Sequence, residues 1–82
     1  MIKINVPFLG EGIEDVTVSA WYSKEGDLIE IDQDLVEVSA DKAIFNIESD
    51  RKGILKQIII SEGKSAKIGE TLAIIEEYHG KS

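Results

Sequence analysis

Short runs in which apolar and polar residues alternate dominate this chain. The first, Met1-Ile2-Lys3-Ile4-Asn5-Val6-Pro7, is followed by Val16 to Tyr22, by two runs within Val36 to Glu48, and by Ile54 to Ile60. A period of two is the signature of half-buried strands. β-Branched and aromatic residues fill these runs while Gly, Asp and Ser gather between them, at the spacing expected of a sandwich or barrel. Pro7 closes the first run, where a missing backbone donor is tolerated. The pattern predicts an all-β fold with no helix.

Sliding the sequence against itself by 37 positions brings Gly26 onto Gly63 and exposes an internal repeat. Val18 falls on Leu55, Trp21 on Ile58, Glu25 on Glu62, Ile31 on Ile68, Leu35 on Leu72 and Val38 on Ile75. Each copy reads as a strand, a turn at Lys24-Glu25-Gly26-Asp27 or Ser61-Glu62-Gly63-Lys64, a short segment, a second turn and a closing strand. Glycine supplies the positive φ such turns need. Two copies predict a flattened β-barrel, or sandwich, of two four-stranded antiparallel sheets with pseudo-two-fold symmetry. Ile4, Val6, Val18, Ile31, Leu35, Val38, Ile58, Ile68 and Leu72 are assigned to its core, as are Trp21 and Phe45.

Between the copies, Val36 to Glu48 forms two alternating runs joined at Ala40-Asp41-Lys42, and a hairpin follows. The link lacks an Asn-Gly or Asp-Gly pair, so a type I turn, which tolerates Asp and Lys, is expected. Lys42 then projects into solvent. If the repeat reflects a two-fold axis, the N-terminal strand takes the place held in the other half by the strand after Lys42. The chain ends then lie together, far from Lys42.

At 82 residues the chain is one domain, which buries only about 60% of the surface of its unfolded form. A second layer enclosing a substrate is out of reach. Residues 1–78 are assigned to the domain, and 79–82 to a polar tail or the start of a linker. The N-terminal alternation differs from the continuous apolar stretch of a signal peptide, and no run approaches the length of a membrane span. A cytoplasmic or organelle-matrix location is expected. The chain has no cysteine, so neither disulfide nor thiolate chemistry is intrinsic to it. A formal charge of −7 repels phosphate backbones and argues against nucleic acid as a partner.

Candidate chemistry is sparse. The single histidine, His79, stands in the tail, where it has no role in a hydrolytic triad. Gly10-Glu11-Gly12 fails as a dinucleotide loop, because Asp15 replaces the third glycine and a strand follows. Asp32-Gln33-Asp34 lacks the glycine and terminal glutamate of a calcium loop, so no metal site and no catalytic residue is assigned. An exposed lysine in a turn is ordinarily just solvated. Lys42 needs something further to single it out.

That comes from resemblance. Asp41-Lys42-Ala43, between two quasi-repeats, resembles the lipoylation hairpin of the acyltransferase components of 2-oxo acid dehydrogenase complexes. Leu9-Gly10-Glu11-Gly12-Ile13-Glu14 resembles that family's loop after the first strand, and Trp21, Lys24, Gly26 and Asp27 its W-x-x-K-x-G-D segment. Leu35-Val36-Glu37-Val38, Gly53, Glu62-Gly63, Ile68-Gly69 and Leu72 extend the likeness over about residues 2 to 77. Ser39-Ala40 replaces the acidic pair usual before Asp41. The methionines flanking the lysine of biotin carriers are absent, which favours lipoate over biotin. A biotin carrier of a carboxylase and an unmodified β-sandwich interaction module are the rival readings; the glycine-cleavage carrier is a longer chain with extra helices.

The resemblance implies a non-catalytic carrier domain, monomeric in isolation, with lipoate in amide linkage to Lys42 and with Asp41 and Ala43 as flanking recognition residues. A lipoylating enzyme installs the group after the amine loses its proton. The implied partners are then a thiamine-dependent 2-oxo acid dehydrogenase, an acyltransferase core and dihydrolipoamide dehydrogenase. Gly10, Glu11, Gly12 and Ile13 are expected to form a surface loop near the hairpin that the dehydrogenase reads.

Overall fold

A computed structural model describes residues 1–77; the expected tail at 79–82, with His79, lies outside the described residues. Eight strands follow one another without a helix among the described residues: β1 (Ile2–Asn5), β2 (Asp15–Trp21), β3 (Leu28–Ile29), β4 (Asp34–Ala40), β5 (Ala43–Glu48), β6 (Gly53–Ile58), β7 (Ser65–Lys67) and β8 (Thr71–Glu77). They form two four-stranded sheets, in the orders β1-β8-β6-β3 and β5-β4-β2-β7. Every pairing is antiparallel. The sheets pack face to face over one apolar core, as the alternation requires.

The repeat is written into the hydrogen bonds. Gly26 donates its N–H to the Leu55 carbonyl at 2.7 Å, and its counterpart Gly63 donates to Val18 at 2.8 Å. The Leu55 N–H returns a bond to Asp27, as that of Val18 does to Lys64, each at 2.9 Å. Glu25 Oε2 accepts from the Ile58 N–H at 2.8 Å, and Glu62 Oε2 from the Trp21 N–H at 3.1 Å. The first turn of each half is therefore held by a strand of the other.

The second turns obey the same rule. Asp32 and Gly69, again 37 positions apart, donate to the carbonyls of Ser49 (2.7 Å) and Val6 (2.8 Å). The N–H groups of Ser49 and Val6 donate back to Gln33 and Glu70 at 3.0 and 2.9 Å. Val6, just past β1, thus occupies the place of Ser49, just past β5. The N-terminal strand does stand in for the strand after Lys42.

Of the residues assigned to the core, Ile4, Val6, Val18, Leu35, Val38 and Leu72 are buried, while Ile58, Ile68, Trp21 and Phe45 are half-buried and pack against it. Trp21 also satisfies its indole, Nε1 donating to the Ile60 carbonyl at 2.9 Å. Ile31 departs from expectation and is 58% exposed. The inward position is already filled by Ile29, which is fully buried. After Ile29 the chain enters the turn at Asp32 (φ 68°), so the alternation that would have turned Ile31 inward is broken.

The molecule is elongated, 45 × 22 × 17 Å. Its strand partners order its two ends: Ile2 lies against Ile75, Val6 against Gly69 and Glu70, Lys67 against Asp15, and Asp15 shares a cleft with Ala40 and Asp41. The hairpin tip and the far end of the β1–β8 pair are therefore at opposite ends of this series.

Candidate functional site

β4 and β5 stay in register from Val36 opposite Ile47 to Ala40 opposite Ala43. Only Asp41 and Lys42 remain to turn the chain. A two-residue connection demands a backbone twist that matches the strands, which the primed turns supply and type I does not. Asp41 accordingly sits at φ 45°, where a type I turn would need about −60°. The expected type I geometry is thus corrected, and the physical reason is the tight register of the strands. The register itself was the signal: once Ala40 and Ala43 pair, positive φ at residue 41 follows.

Lys42 is exposed at the second position of this turn, with Asp41 exposed beside it and Ala43 half-buried. Ala40, buried to 8% exposure, anchors the last rung of the ladder. A turn of two residues places the lysine Cα at the tip of the hairpin and leaves its four methylenes free. The side chain is a primary amine displayed beyond the end of a barrel.

The loop from Gly10 to Ile13 comes close. Its backbone folds on itself, the Ile13 N–H donating to the Gly10 carbonyl at 3.3 Å, and Glu11 and Gly12 are exposed. Gly12 and Ile13 line a cleft of ≈ 270 Å³ together with Glu14, Asp15, Ala40 and Asp41. The structure thus brings the loop and the hairpin tip together, as expected from their common likeness to one family. It adds Asp15, which the sequence reading used only to reject a dinucleotide loop. Asp15 begins β2, and its strand register with Lys67 carries it to this end. The carboxylates of Glu14, Asp15 and Asp41 give this cleft a negative character.

The outer face beside the tip carries Ile44, 68% exposed. Further along it Tyr22 donates its hydroxyl to Glu37 Oε1 or Asn46 Oδ1, each at 3.0 Å. Desolvation, the hydrogen bond to Glu37 and the negative charges of Glu37 and Asp34 raise the Tyr22 pKa above its usual 10.0. No group of three or more His, Cys, Asp or Glu side chains suited to holding a metal ion occurs among the described residues.

Comparison with known proteins agrees with this geometry. The Biotin_lipoyl family model, described as "Biotin-requiring enzyme", matches residues 2–75. The chain is 36% identical over 76 residues to the dihydrolipoyllysine-residue succinyltransferase component of the 2-oxoglutarate dehydrogenase complex of Rickettsia bellii, an alignment covering 93% of this chain and 19% of the relative. The corresponding Bacillus subtilis component is 30% identical over 82 residues, all of this chain and 20% of that protein. The chain therefore spans about a fifth of the length of these relatives. The solution structure of the lipoyl domain of the 2-oxoglutarate dehydrogenase complex from Azotobacter vinelandii superposes with a TM-score of 0.76 at 30% identity, covering 94% of this chain and 98% of that one. On sequence and on fold alike, the chain belongs to the biotin/lipoyl attachment family as a lipoyl carrier domain.

Proposed function

We propose that Lys42 is the residue lipoylated in this domain, and that the domain carries acyl groups and electrons between the active sites of a 2-oxo acid dehydrogenase complex, of the 2-oxoglutarate type. The observation that carries the proposal is the position of Lys42, exposed in a two-residue turn at the end of the barrel remote from the β1–β8 ends. A covalently attached group fits there. Lys42 is exposed, and the buried Ala40 pairs with Ala43 to close the turn beneath it. When bound, lipoate supplies the dithiolane on which acyl transfer and oxidation depend.

The residues of this chain do the rest by position. The turn presents the amine to a lipoylating enzyme, which must accept its proton as the amide forms. Asp41 and Ala43 flank the amine, and Gly10, Glu11, Gly12 and Ile13 offer the thiamine-dependent dehydrogenase a second surface on the same end. Loops on a rigid scaffold commonly carry such recognition. Residues 1–78 form the carrier and 79–82 begin a linker, so the barrel is held by one end while the other works. Tethering raises the local concentration of the carrier at each partner, including the acyltransferase core and dihydrolipoamide dehydrogenase. The domain itself is non-catalytic and monomeric, and works in the cytoplasm or mitochondrial matrix where such complexes operate.

The relatives' names support the 2-oxoglutarate type, since the matched components are succinyltransferases of that complex. The deciding experiment is intact-mass analysis and peptide mapping after incubation with a lipoate ligase or, separately, a biotin ligase. The lipoyl increment is expected on Lys42 alone and is lost in Lys42→Arg. Modification of Lys24 or Lys64, or biotin in place of lipoate, would refute the assignment.

A further inference from the structure

We infer that Asp41 is a positioning residue, contributing to the modification of Lys42 through the left-handed backbone conformation it adopts and not through its carboxylate. This inference rests on the reading of Lys42 as the lipoylated residue. Register first defines the requirement: with Ala40 opposite Ala43, the residue preceding the lysine must take positive φ for the hairpin to close in two residues. Its φ is 45°.

The chain contains its own control. Among the described residues, the non-glycine residues at positive φ are Asp32 (68°) and Asp41 (45°), and all others at positive φ are glycines. The place that Asp32 occupies in the first half is occupied in the second by Gly69, at φ 89°. Both donate the same bond, to Ser49 and to Val6. Aspartate and glycine are thus interchangeable at a left-handed position of this fold. Aspartate is among the few residues with a side chain that visit this region routinely, whereas branching at Cβ makes it a steric outlier.

The carboxylate of Asp41 has no evident task within the domain. It is exposed, and it takes part in no hydrogen bond or ion pair among the described residues. A side chain held by nothing does not hold the turn. What the residue supplies is a torsion angle, which sets where the next Cα stands and in which direction the Lys42 side chain leaves the backbone. Misplacing a reacting group by about 1 Å is enough to cost on the order of 100-fold in rate.

Three variants separate torsion from charge: Asp41→Asn, Asp41→Gly and Asp41→Val. Each is treated with a lipoate ligase, lipoate and ATP, and the initial rate is read from intact mass. Residue 41 is examined in parallel by its amide-to-Hα coupling in the unmodified domain, and thermal unfolding verifies that the barrel is retained. Asn and Gly, which remove the charge but keep positive φ, should be modified at the parental rate. Val should be slower by tenfold or more, on the scale set by misplacement, with altered couplings confined to the hairpin. Slow modification of both Asn and Gly would overturn the inference in favour of the carboxylate, and a parental rate for Val would overturn it by showing the torsion irrelevant. A parent domain left unmodified at Lys42, with residue 41 still at positive φ, would overturn the assignment of Lys42 itself and the positioning role with it.

Discussion

Replacing Gly53 by alanine adds a single methyl group where the barrel has no room. Gly53 is buried at the start of β6, between Ile29 on β3 and Glu77 on β8. An added Cβ would overlap the backbone carbonyl oxygen of Glu76, lie 2.6 Å from Ile75 Cγ2 and stand 3.0 Å from the Glu76 carbonyl carbon. The carbonyl belongs to the β6–β8 ladder, where Glu76 faces Ile54, and Ile75 is fully buried. Neither can rotate aside, so relief requires β6 and β8 to part. Overpacking of this kind costs about 1–3 kcal/mol, and backbone involvement argues for the upper end. Gly53 is not at positive φ, so alanine also gains about 0.4–1 kcal/mol by restricting the unfolded chain. A net loss of about 2 kcal/mol follows, or roughly 8–16 °C in Tm for a domain of this size. Thermal unfolding followed by circular dichroism measures it. Gly63→Ala is the contrasting case: its Cβ meets nothing within 4 Å, yet φ is 87°, so its cost is purely conformational, about 1–2 kcal/mol. A Tm for Gly53→Ala unchanged or raised would refute the steric argument.

Leu35→Ala should destabilise by about 2–5 kcal/mol while Lys42→Ala stays within about 0.5 kcal/mol; equal losses in denaturant titrations would contradict the placement of Lys42 outside the core. Glu25→Ala and Glu62→Ala each remove one carboxylate bond to the opposite half and should cost about 1 kcal/mol apiece, with unequal Tm shifts showing that the two-fold is not energetic. Spectrophotometric titration should find Tyr22 ionising above pH 10.0, and Glu37→Gln should lower its midpoint. Because folding raises this pKa, its contribution to stability is complete below the unfolded value and is lost as pH rises through the folded one. In the fully lipoylated domain, Glu11→Lys or a shortened Gly10–Ile13 loop should slow reductive acylation by the cognate dehydrogenase without changing ligase modification or Tm. Unchanged acylation would leave the loop a mere connection.

Much of this was readable from residue order because the same physics was written twice. The 37-residue offset predicted which turns correspond, and the paired bonds at Gly26 and Gly63 carry that correspondence into the backbone. Period-two alternation located the strands, and it failed at Ile31 because alternation ends where a turn begins, a boundary that pattern alone does not mark. The turn at Asp41 departs from the type I expectation for a related reason. Residue preferences say which amino acids a turn tolerates, but the handedness of a two-residue link is imposed by the strands on either side. The role of Gly53 was hidden in the same way, since the atoms that exclude a side chain there come from Ile75 and Glu76, more than twenty residues later in the chain. Asp15 reaches the site end through pairing with β7, which no local motif announces.

The exchange of hydrogen bonds between the halves also governs how the chain can fold. The turn at Gly26 closes on Leu55, and the turn at Gly63 on Val18, so neither half can finish its own turns before the other is present. Local hairpins, such as β4–β5, can form early and reversibly, but they bury little until distant strands arrive. Such an arrangement places the entropy of closing long loops ahead of the contacts that reward it, which slows folding. On the ribosome the barrel would stay incomplete until Leu72, whose carbonyl receives the N–H of Ile59, has left the exit tunnel. The working hairpin would then gain its base only once β8 has emerged, and a lipoylating enzyme that requires that base would encounter only finished domains.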